Sequence, residues 1–445
     1  MARYQPPQEW QEWIDWLAAG LHGRNRWRLS VLMSGILFAV GRRTVTSWFR
    51  AVGIQDDFGL YYYFLQPLGG KTKPLAARLL TLLLARLHRG GRVVLGVDDS
   101  PTKRYGPQVQ GAGTHRNPTP GPAGQKFLYG HIWVTISLVL RHRWWGTIGL
   151  PLIGLLYVRA MDIGKLPPRY RWKFRTKLQL ASAQVLRFAK LANAAGKAVW
   201  VIVDGAYANW PFLKPLRSAG VVVVSRLRKN AHLNDLPPKS KPGQRRGRGG
   251  PRKYGPQRIH LARRAAHPLG WETIACFVYG ELVHKKVKTF LATYRPARGV
   301  IRVVIVQEQE GCEFFFCTDP NASPQEIVEL FADRAVMEQD FHDVKEVWGA
   351  GQQQVRNIWS SVAVFNLNLW MHSLVECWAW NKSPPDICDR THCPWDDQER
   401  RPSHADRRKA LRRETLRAEY SALSSWHRCS SRIRALYDLL LQLAT

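Results

Sequence analysis

Three acidic residues that lie far apart in the sequence, Asp98, Asp204 and Glu338, could act together on one bound group. Asp98 ends the apolar run RVVLGVD and Asp204 ends the similar run AVWVIVD, so each is predicted at the C-terminal end of a buried strand. Carboxylate oxygens are the ligands that Mg²⁺ prefers in proteins, and Mn²⁺ can substitute for it. Two such ions about 4 Å apart would activate the attacking oxygen and stabilise the leaving oxygen in a phosphodiester displacement.

The third acid lies in SPQEIVELFADRAVMEQDFHDVKEVW, residues 323–348, which we predict to form one long helix. Ser323 is the predicted N-cap, Pro324 the first helical residue, and Glu326 the second member of a capping box. The helix is therefore expected to begin at a defined residue and to carry Glu338 in its second half.

One face of this helix carries groups of complementary chemistry. Phe331, Arg334, Glu338 and Lys345 fall within about 60° of one another around the helix axis. Two cations and an aromatic ring beside a carboxylate suit a site that contacts both a metal ion and phosphates. An amphipathic helix with i,i+4 ion pairs would give the same pattern, and the two predicted strand-end acids are what favour a metal site.

The elements that must position these acids follow an order typical of an RNase H-like α/β fold. The sequence predicts strands at 92–98, 127–140 and 147–158, a helix at 170–195, a strand at 198–204, a short helix at 206–218 and a strand at 221–225. In that fold the first and fourth strands are neighbours, so Asp98 and Asp204 would lie side by side. A lone Asp at a strand end is more often a turn cap. Two of them on paired strands are much less expected by chance, and Asp99 would point to the opposite side of its strand.

The net charge indicates the kind of partner. The chain of 445 residues has 66 Lys and Arg against 33 Asp and Glu, which gives a net charge of +33. This excess indicates a polyanion, with double-stranded DNA as the first choice and a membrane surface as the rival. No membrane partner is expected, because no signal peptide and no apolar stretch of bilayer length is visible. Seven irregularly spaced cysteines favour a reducing, cytoplasmic location.

The N-terminal region is predicted to be helical and to contact DNA. Residues 41–54 resemble the second helix of a helix-turn-helix, with Thr44 as cap and Val45 and Trp48 packed inward. The side chains expected to point outward toward DNA are Arg42, Arg43, Ser47 and Arg50. A small helical bundle with a solvated basic face is the alternative.

A second basic region precedes a group of predicted strands. Residues 226–258 are rich in Gly, Pro and basic side chains, including Arg245, Arg246 and Arg248, and predict a flexible loop that follows a phosphate backbone. Four strand candidates between residues 272 and 318 indicate an antiparallel β insertion. A merely solvated loop is possible, but the one-sided charge argues against it.

These stretches together resemble bacterial insertion-sequence transposases of the DDE superfamily, in the branch with the Y-x2-R-x3-E-x6-K signature. The resemblance rests on GVDDS at 96–100, VIVDGAY at 201–207, CTD at 317–319 and FADRAVMEQDFHDVK at 331–345. The chain departs from the signature at Phe331, which replaces the usual Tyr and cannot make a hydroxyl contact to phosphate. Between Trp271 and Trp348 there is also no Trp that could stack on a flipped base.

The resemblance implies a specific activity and specific roles. It implies cut-and-paste movement of an element with terminal inverted repeats, by a homodimer in a synaptic complex with target DNA at the bacterial nucleoid. Asp98, Asp204 and Glu338 would hold two Mg²⁺ ions, while Arg334 and Lys345 would hold phosphates near the cleaved end. Two other functions stay open, namely a DNA-binding protein that has lost catalysis and an RNase H-like nuclease that cuts without joining.

The expected architecture is an α/β RNase H-like core with an antiparallel β insertion and helical terminal regions. The expected division is a helical DNA-binding region at 1–88, the first part of the core at 89–225, the basic loop and β insertion at 226–322, the core helix with Glu338 at 323–350 and a helical region at 351–445.

Overall fold

A computed structural model of the chain describes Tyr4 and residues 6–117, 125–238, 252–388, 390, 393, 395–421 and 437. Its mixed α/β architecture, with one large sheet flanked by helices, confirms the predicted fold class. Within the described residues, no helix combines the length and the apolar character that a bilayer crossing requires.

The N-terminal region is a group of helices, as predicted. They are α1 (Gln8–Ala18), α2 (Arg26–Phe38), α3 (Val45–Ala51), α4 (Phe58–Gly70) and α5 (Thr72–Leu87). The predicted cap of α3 is confirmed, because the Thr44 hydroxyl accepts a hydrogen bond from the backbone N–H of Ser47 at 3.2 Å. Val45 and Trp48 are buried as expected.

The RNase H-like core follows, with its five main strands in the spatial order β4-β3-β1-β5-β6. Its elements in chain order are β1 (Arg92–Lys103), β2 (Gly113–Arg116), β3 (Phe127–His142), β4 (Gly146–Tyr157), α6 (Ala160–Ile163), α7 (Lys177–Ala194), β5 (Ala198–Val203), α8 (Trp210–Ser218) and β6 (Val222–Arg226). β1 pairs with β5 in parallel and with β3 antiparallel. The predicted adjacency of the first and fourth strands is therefore confirmed. The prediction that the first strand ends at Asp98 is wrong, because β1 continues to Lys103 and Asp98 still pairs with Thr135 of β3.

The predicted antiparallel insertion is also present, and it extends the central sheet. Its elements are β7 (Leu233–Asn234), β8 (Arg258–Ile259), α9 (Leu261–Ala266), β9 (Glu272–Val278), β10 (Glu281–Tyr294), β11 (Gly299–Glu308) and β12 (Gly311–Cys317). β12 pairs with β6 of the core, so core and insertion form one continuous sheet, which has twelve strands among the residues described. Arg245, Arg246 and Arg248, predicted to contact DNA, lie outside the described residues.

The prediction of one long helix over residues 323–348 is wrong. The segment forms α10 (Pro324–Asp333) and α11 (Val336–Glu346), which are separated at Arg334 and Ala335. Across this break the backbone bonds have i→i+3 spacing, as in the bond from Glu338 N–H to the Ala335 carbonyl at 3.0 Å. Ser323 caps the start as predicted, but the Glu326 side chain pairs with Arg92 across the sheet edge.

The C-terminal region is organised around a buried helix. It comprises α12 (Ile358–Ala379), α13 (Pro384–Ile387) and α14 (His404–Ser421). Asn357 caps α12 by accepting hydrogen bonds from the N–H groups of Trp359 and Ser360. Almost every side chain of α12 is buried, because the helix packs between β4 and the N-terminal helices.

Two adjacent glycines in α4 give a direct test of how closely α4 and α12 pack. A Cβ atom at Gly69 would overlap the backbone carbonyl of Trp359, whereas a Cβ atom at Gly70 would meet open space. We expect Gly69→Ala to lower the free energy of unfolding by about 1–3 kcal/mol, because the two helix backbones cannot separate without loss of packing. Gly70→Ala is the matched control, with a change within about 1 kcal/mol and of either sign.

Urea denaturation of both variants provides the measurement. Equal stability of the Gly69→Ala and Gly70→Ala variants would show that α4 and α12 are farther apart than this structure has them.

Candidate active site

Asp98 and Asp204 lie next to each other on the same face of the sheet. The parallel pairing of β1 with β5 ends at Val97 and Val203, one residue before each acid. Side chains alternate between the two faces along a strand. Val94 and Ile202 belong to the apolar cluster under α10, so Asp98 and Asp204 face α10 and α11. The other face, toward α7 and α8, receives Asp99.

Glu338 is joined to Asp98 through a shared arginine. The Arg334 guanidinium donates to Oδ2 of Asp98 at 2.8 Å and to Oε1 of Glu338 at 3.0 Å. Arg334 lies at the break between α10 and α11, and its side chain points toward the sheet. Gly96 allows this approach, because a Cβ atom there would lie 2.6 Å from the sulfur of Met337 on α11.

The electrostatic setting of Asp98 reflects both burial and neighbouring charges. Burial raises the pKa of Asp98 to about 6, and the charges of Asp99 and Asp204 act in the same direction. The Asp99 backbone N–H and the Arg334 guanidinium oppose this rise. A proton and a cation therefore compete for this carboxylate near pH 6, and the ionised form prevails at neutral pH.

The donor set fits divalent cations. The site brings together three carboxylates, and the Arg334 guanidinium bridges two of them. The Glu338 side chain is 69% exposed, while that of Asp98 is 21% exposed, so the group opens to solvent on the Glu338 side. Oxygen-rich, partly open sites of this kind suit Mg²⁺ or Mn²⁺.

The three carboxylates are not drawn into a tight cluster. Within the described residues, the one group of three possible ligands whose atoms all lie within 4.8 Å of one another is His372, Glu376 and His404. Arg334 occupies the space between Asp98 and Glu338. Asp204 caps the turn that follows it, with Oδ2 3.5 Å from the Ala206 backbone nitrogen.

In the buried group of His372, Glu376 and His404, the carboxylate of Glu376 is already paired with protein side chains. Arg407 donates to both carboxylate oxygens of Glu376 at 2.9 and 3.0 Å, and Nδ1 of His404 lies 2.6 Å from Oε1. The Trp348 indole N–H donates to Nε2 of His404 at 2.7 Å. The lone pair that a metal ion would need on His404 is thus engaged.

The remaining predicted residues of α10 and α11 surround the acids. The ring of Phe331 packs against Phe315 at 4.7 Å between centroids, and the Arg334 guanidinium lies 5.8 Å from the Phe331 ring. Lys345 donates to the Ser100 hydroxyl at 2.6 Å, and burial lowers the pKa of Lys345. Phe331 thus supports Arg334 by packing, while Lys345 of α11 contacts β1 at Ser100, two residues beyond Asp98.

The predicted DNA-contacting residues of the N-terminal region differ in exposure. Arg42 and Arg50 are exposed, as expected for phosphate contacts. Arg43 is half-buried, and its backbone N–H donates to Oε1 of Gln352 at 2.8 Å. The prediction that Ser47 points outward is wrong, since its hydroxyl donates to the Thr44 carbonyl at 2.7 Å and the residue is buried.

A hydrogen-bond network behind the acids was missed by the sequence analysis. The Tyr207 hydroxyl donates to Oδ1 of Asp99 at 3.2 Å, and Lys177 donates to Oδ2 at 2.6 Å. The available signals were the second acid of GVDDS and the Tyr of VIVDGAY. Strand alternation predicted the direction of Asp99 but could not identify its partners.

Comparison with known proteins gives one match. The sequence family described as DDE superfamily endonuclease matches residues 17–289, more than half of the 445 residues. The matched range contains Asp98 and Asp204 and ends before the helix that carries Glu338. No curated protein matches the chain.

Proposed function

Because the chain belongs to the DDE superfamily endonuclease family, we propose that it is a DNA transposase of the Y-x2-R-x3-E-x6-K branch from a bacterial insertion sequence. The observation that carries this proposal is the meeting of three chain segments at one place. Asp98 and Asp204 lie beside each other at the end of the β1–β5 pairing, and Arg334 connects Asp98 to Glu338. Local structure does not explain why carboxylates from segments so distant in sequence lie together, which supports a shared function.

The three acids are proposed to hold two Mg²⁺ ions. Bound there, the ions would lower the pKa of a water molecule and stabilise the negative charge on the leaving oxygen. Asp98 would contribute from within β1 and Asp204 from the residue after β5, while Glu338 would contribute from α11, whose first turn carries its side chain toward solvent. The 3′-OH of the cleaved strand would then attack target DNA.

Arg334 is proposed to change partners during this reaction. Its two terminal nitrogens donate to Asp98 and to Glu338. The same planar donor geometry would suit a phosphate of the substrate if the two carboxylates instead held cations. Lys345 would hold a second phosphate. Phe331 keeps the ring contact but supplies no hydroxyl.

DNA binding is proposed to extend beyond the acids. The net charge of +33 supports a polyanionic partner, and the exposed Arg42 and Arg50 at α3 could contact phosphates of the terminal inverted repeats. Two copies of the chain would hold the two element ends in a synaptic complex.

The test uses the DNA that flanks the gene. Purified protein is incubated with labelled fragments carrying the flanking inverted repeats, with Mg²⁺ or with EDTA. The proposal expects Mg²⁺-dependent strand cleavage that leaves a 3′-OH, and joining of a precleaved end to plasmid DNA. Cleavage without joining would favour a nuclease. Specific binding without cleavage in either Mg²⁺ or Mn²⁺ would favour a DNA-binding protein that has lost catalysis.

A further inference from the structure

A second acid lies directly behind the proposed metal site. Asp99 follows Asp98 in β1 and faces α7 on the opposite side of the sheet, where both of its carboxylate oxygens are engaged. Oδ1 accepts a hydrogen bond from the Tyr207 hydroxyl at 3.2 Å, and Oδ2 accepts one from Lys177 at 2.6 Å. These contacts turn Asp99 away from the face that Asp98 shares with Asp204, so Asp99 does not compete as a ligand.

The Tyr207–Asp99 hydrogen bond connects the two segments that carry Asp98 and Asp204. Tyr207 is the last residue of the short turn Gly205–Tyr207, which Asp204 caps. Asp99 is the neighbour of Asp98. The ladder between β1 and β5 ends at Val97 and Val203, so this bond fastens the two segments just beyond the last ladder pair. Because Tyr207 follows Asp204 by only three residues along the chain, a displacement of Tyr207 would also displace Asp204.

The surroundings of Tyr207 hold its hydroxyl group in one orientation toward Asp99. Tyr207 is 2% exposed, and its ring packs edge-on against Phe212 at 5.4 Å between centroids, which fixes its orientation. Burial and the nearby carboxylates raise the pKa of Tyr207 well above its usual value, so its hydroxyl remains a donor. Lys177, at the start of α7, balances the charge of Asp99 at the back of the site.

We propose that Tyr207, Asp99 and Lys177 are positioning residues that set the separation of Asp98 and Asp204, and thereby the affinity of the site for divalent cations. This inference rests on the proposed function, because it assumes that Asp98 and Asp204 hold the metal. Groups that orient metal ligands typically change metal affinity or activity by about 10–100-fold when they are removed.

The test measures metal binding directly. Mn²⁺ is titrated into the full-length protein, and free Mn²⁺ is followed by its electron paramagnetic resonance signal. We expect Tyr207→Phe, which deletes one oxygen, to weaken Mn²⁺ binding about tenfold. High Mn²⁺ should restore DNA cleavage by this variant. The matched control is Tyr4→Phe, whose hydroxyl donates to the Ala51 carbonyl at 2.9 Å in the N-terminal helices, and which should bind Mn²⁺ like wild type.

A second variant keeps the proposal testable if Tyr207→Phe does not fold. Asp99→Asn retains the volume and an acceptor oxygen but loses the charge that strengthens both bonds, and we expect a smaller loss of Mn²⁺ affinity in the same direction. Wild-type Mn²⁺ affinity in whichever of these two variants folds would overturn the proposal, even if its thermal stability were lower.

Asp98→Asn separates this inference from the proposed function. If Asp98→Asn loses Mn²⁺ binding while Tyr207→Phe and Asp99→Asn do not, the metal site stands and only the positioning role fails. If Asp98→Asn binds Mn²⁺ as wild type does, the metal site itself is elsewhere and both proposals fail.

Discussion

Asp98→Asn is expected to lower the rate of Mg²⁺-dependent DNA cleavage by about a hundred- to a thousandfold or more. The substitution removes one negative charge and leaves the shape of the side chain, so the loss would come from weaker binding of the cations that would stabilise charge at the reacting phosphate. Asp204→Asn and Glu338→Gln should have losses of the same order. DNA affinity should hardly change, because the basic residues that would supply it are intact. Cleavage on a gel and filter binding measure the two quantities separately.

The control for this prediction is Asp319→Asn. Asp319 also follows a strand, β12, but β12 runs antiparallel to β6, so its end lies at the opposite edge of the sheet from Asp98 and Asp204. Its carboxylate accepts a hydrogen bond from the Asn321 backbone N–H at 2.9 Å, as a turn acid does. Cleavage near the wild-type rate is expected. Full activity in all three site variants would mean that the metal ions bind elsewhere.

The adjacency of Asp98 and Asp204 was predictable because local patterns and one topological rule suffice for it. Apolar runs rich in Val, each followed by Asp, predicted β5 and the first half of β1, and the element order predicted their pairing. The extension of β1 to Lys103 was not predictable from that run, because it depends on pairing with β3. The register of that pairing, which ends one residue before each acid, agrees with that expectation. Helix α12 lies in the region 351–445 that the sequence predicts to be helical, and an apolar run of its length leaves few alternatives.

The break between α10 and α11 was not predictable from periodicity. The hydrophobic pattern of residues 323–348 is continuous, and the residues at the break keep helical backbone angles. The interruption depends on tertiary contacts, because Arg334 must turn toward Asp98 on β1 while Met337 packs on Gly96. Burial of Ser47 was missed for a related reason. Its hydroxyl bonds to the backbone inside its own helix, which helical spacing does not show.

Arg407→Met is expected to give the largest loss of stability among single substitutions proposed for this chain. Glu376 is 1% exposed, and Arg407 holds both of its carboxylate oxygens. Methionine keeps the aliphatic packing on Trp145 but leaves a buried carboxylate without its cation. Breaking one partner of a buried ion pair typically costs about 3–5 kcal/mol. The free energy of unfolding from urea titration at pH 7 is the measurement.

The pH dependence distinguishes lost charge pairing from lost packing. Burial alone would raise the pKa of Glu376, but the Arg407 guanidinium and the hydrogen bond with His404 hold it far below its usual value. A depressed carboxylate pKa adds stability that is present above the unfolded value of about 4.5 and declines as the pH falls below it. In Arg407→Met burial dominates and the pKa of Glu376 rises, so acid neutralises the unpaired carboxylate. The stability difference from wild type should therefore shrink between pH 7 and pH 4.

Arg400→Ala is the control on the same side of the molecule. Arg400 pairs with Asp396 at 3.2 Å, but its side chain is 41% exposed, and such surface pairs contribute within about 1 kcal/mol. Its effect should be small and nearly independent of pH. A loss for Arg407→Met that stays constant from pH 7 to pH 4 would contradict the charge argument. The guanidinium would then stabilise the C-terminal region through its contacts with Trp145 and the Pro402 carbonyl, and Glu376 would be satisfied by His404 alone.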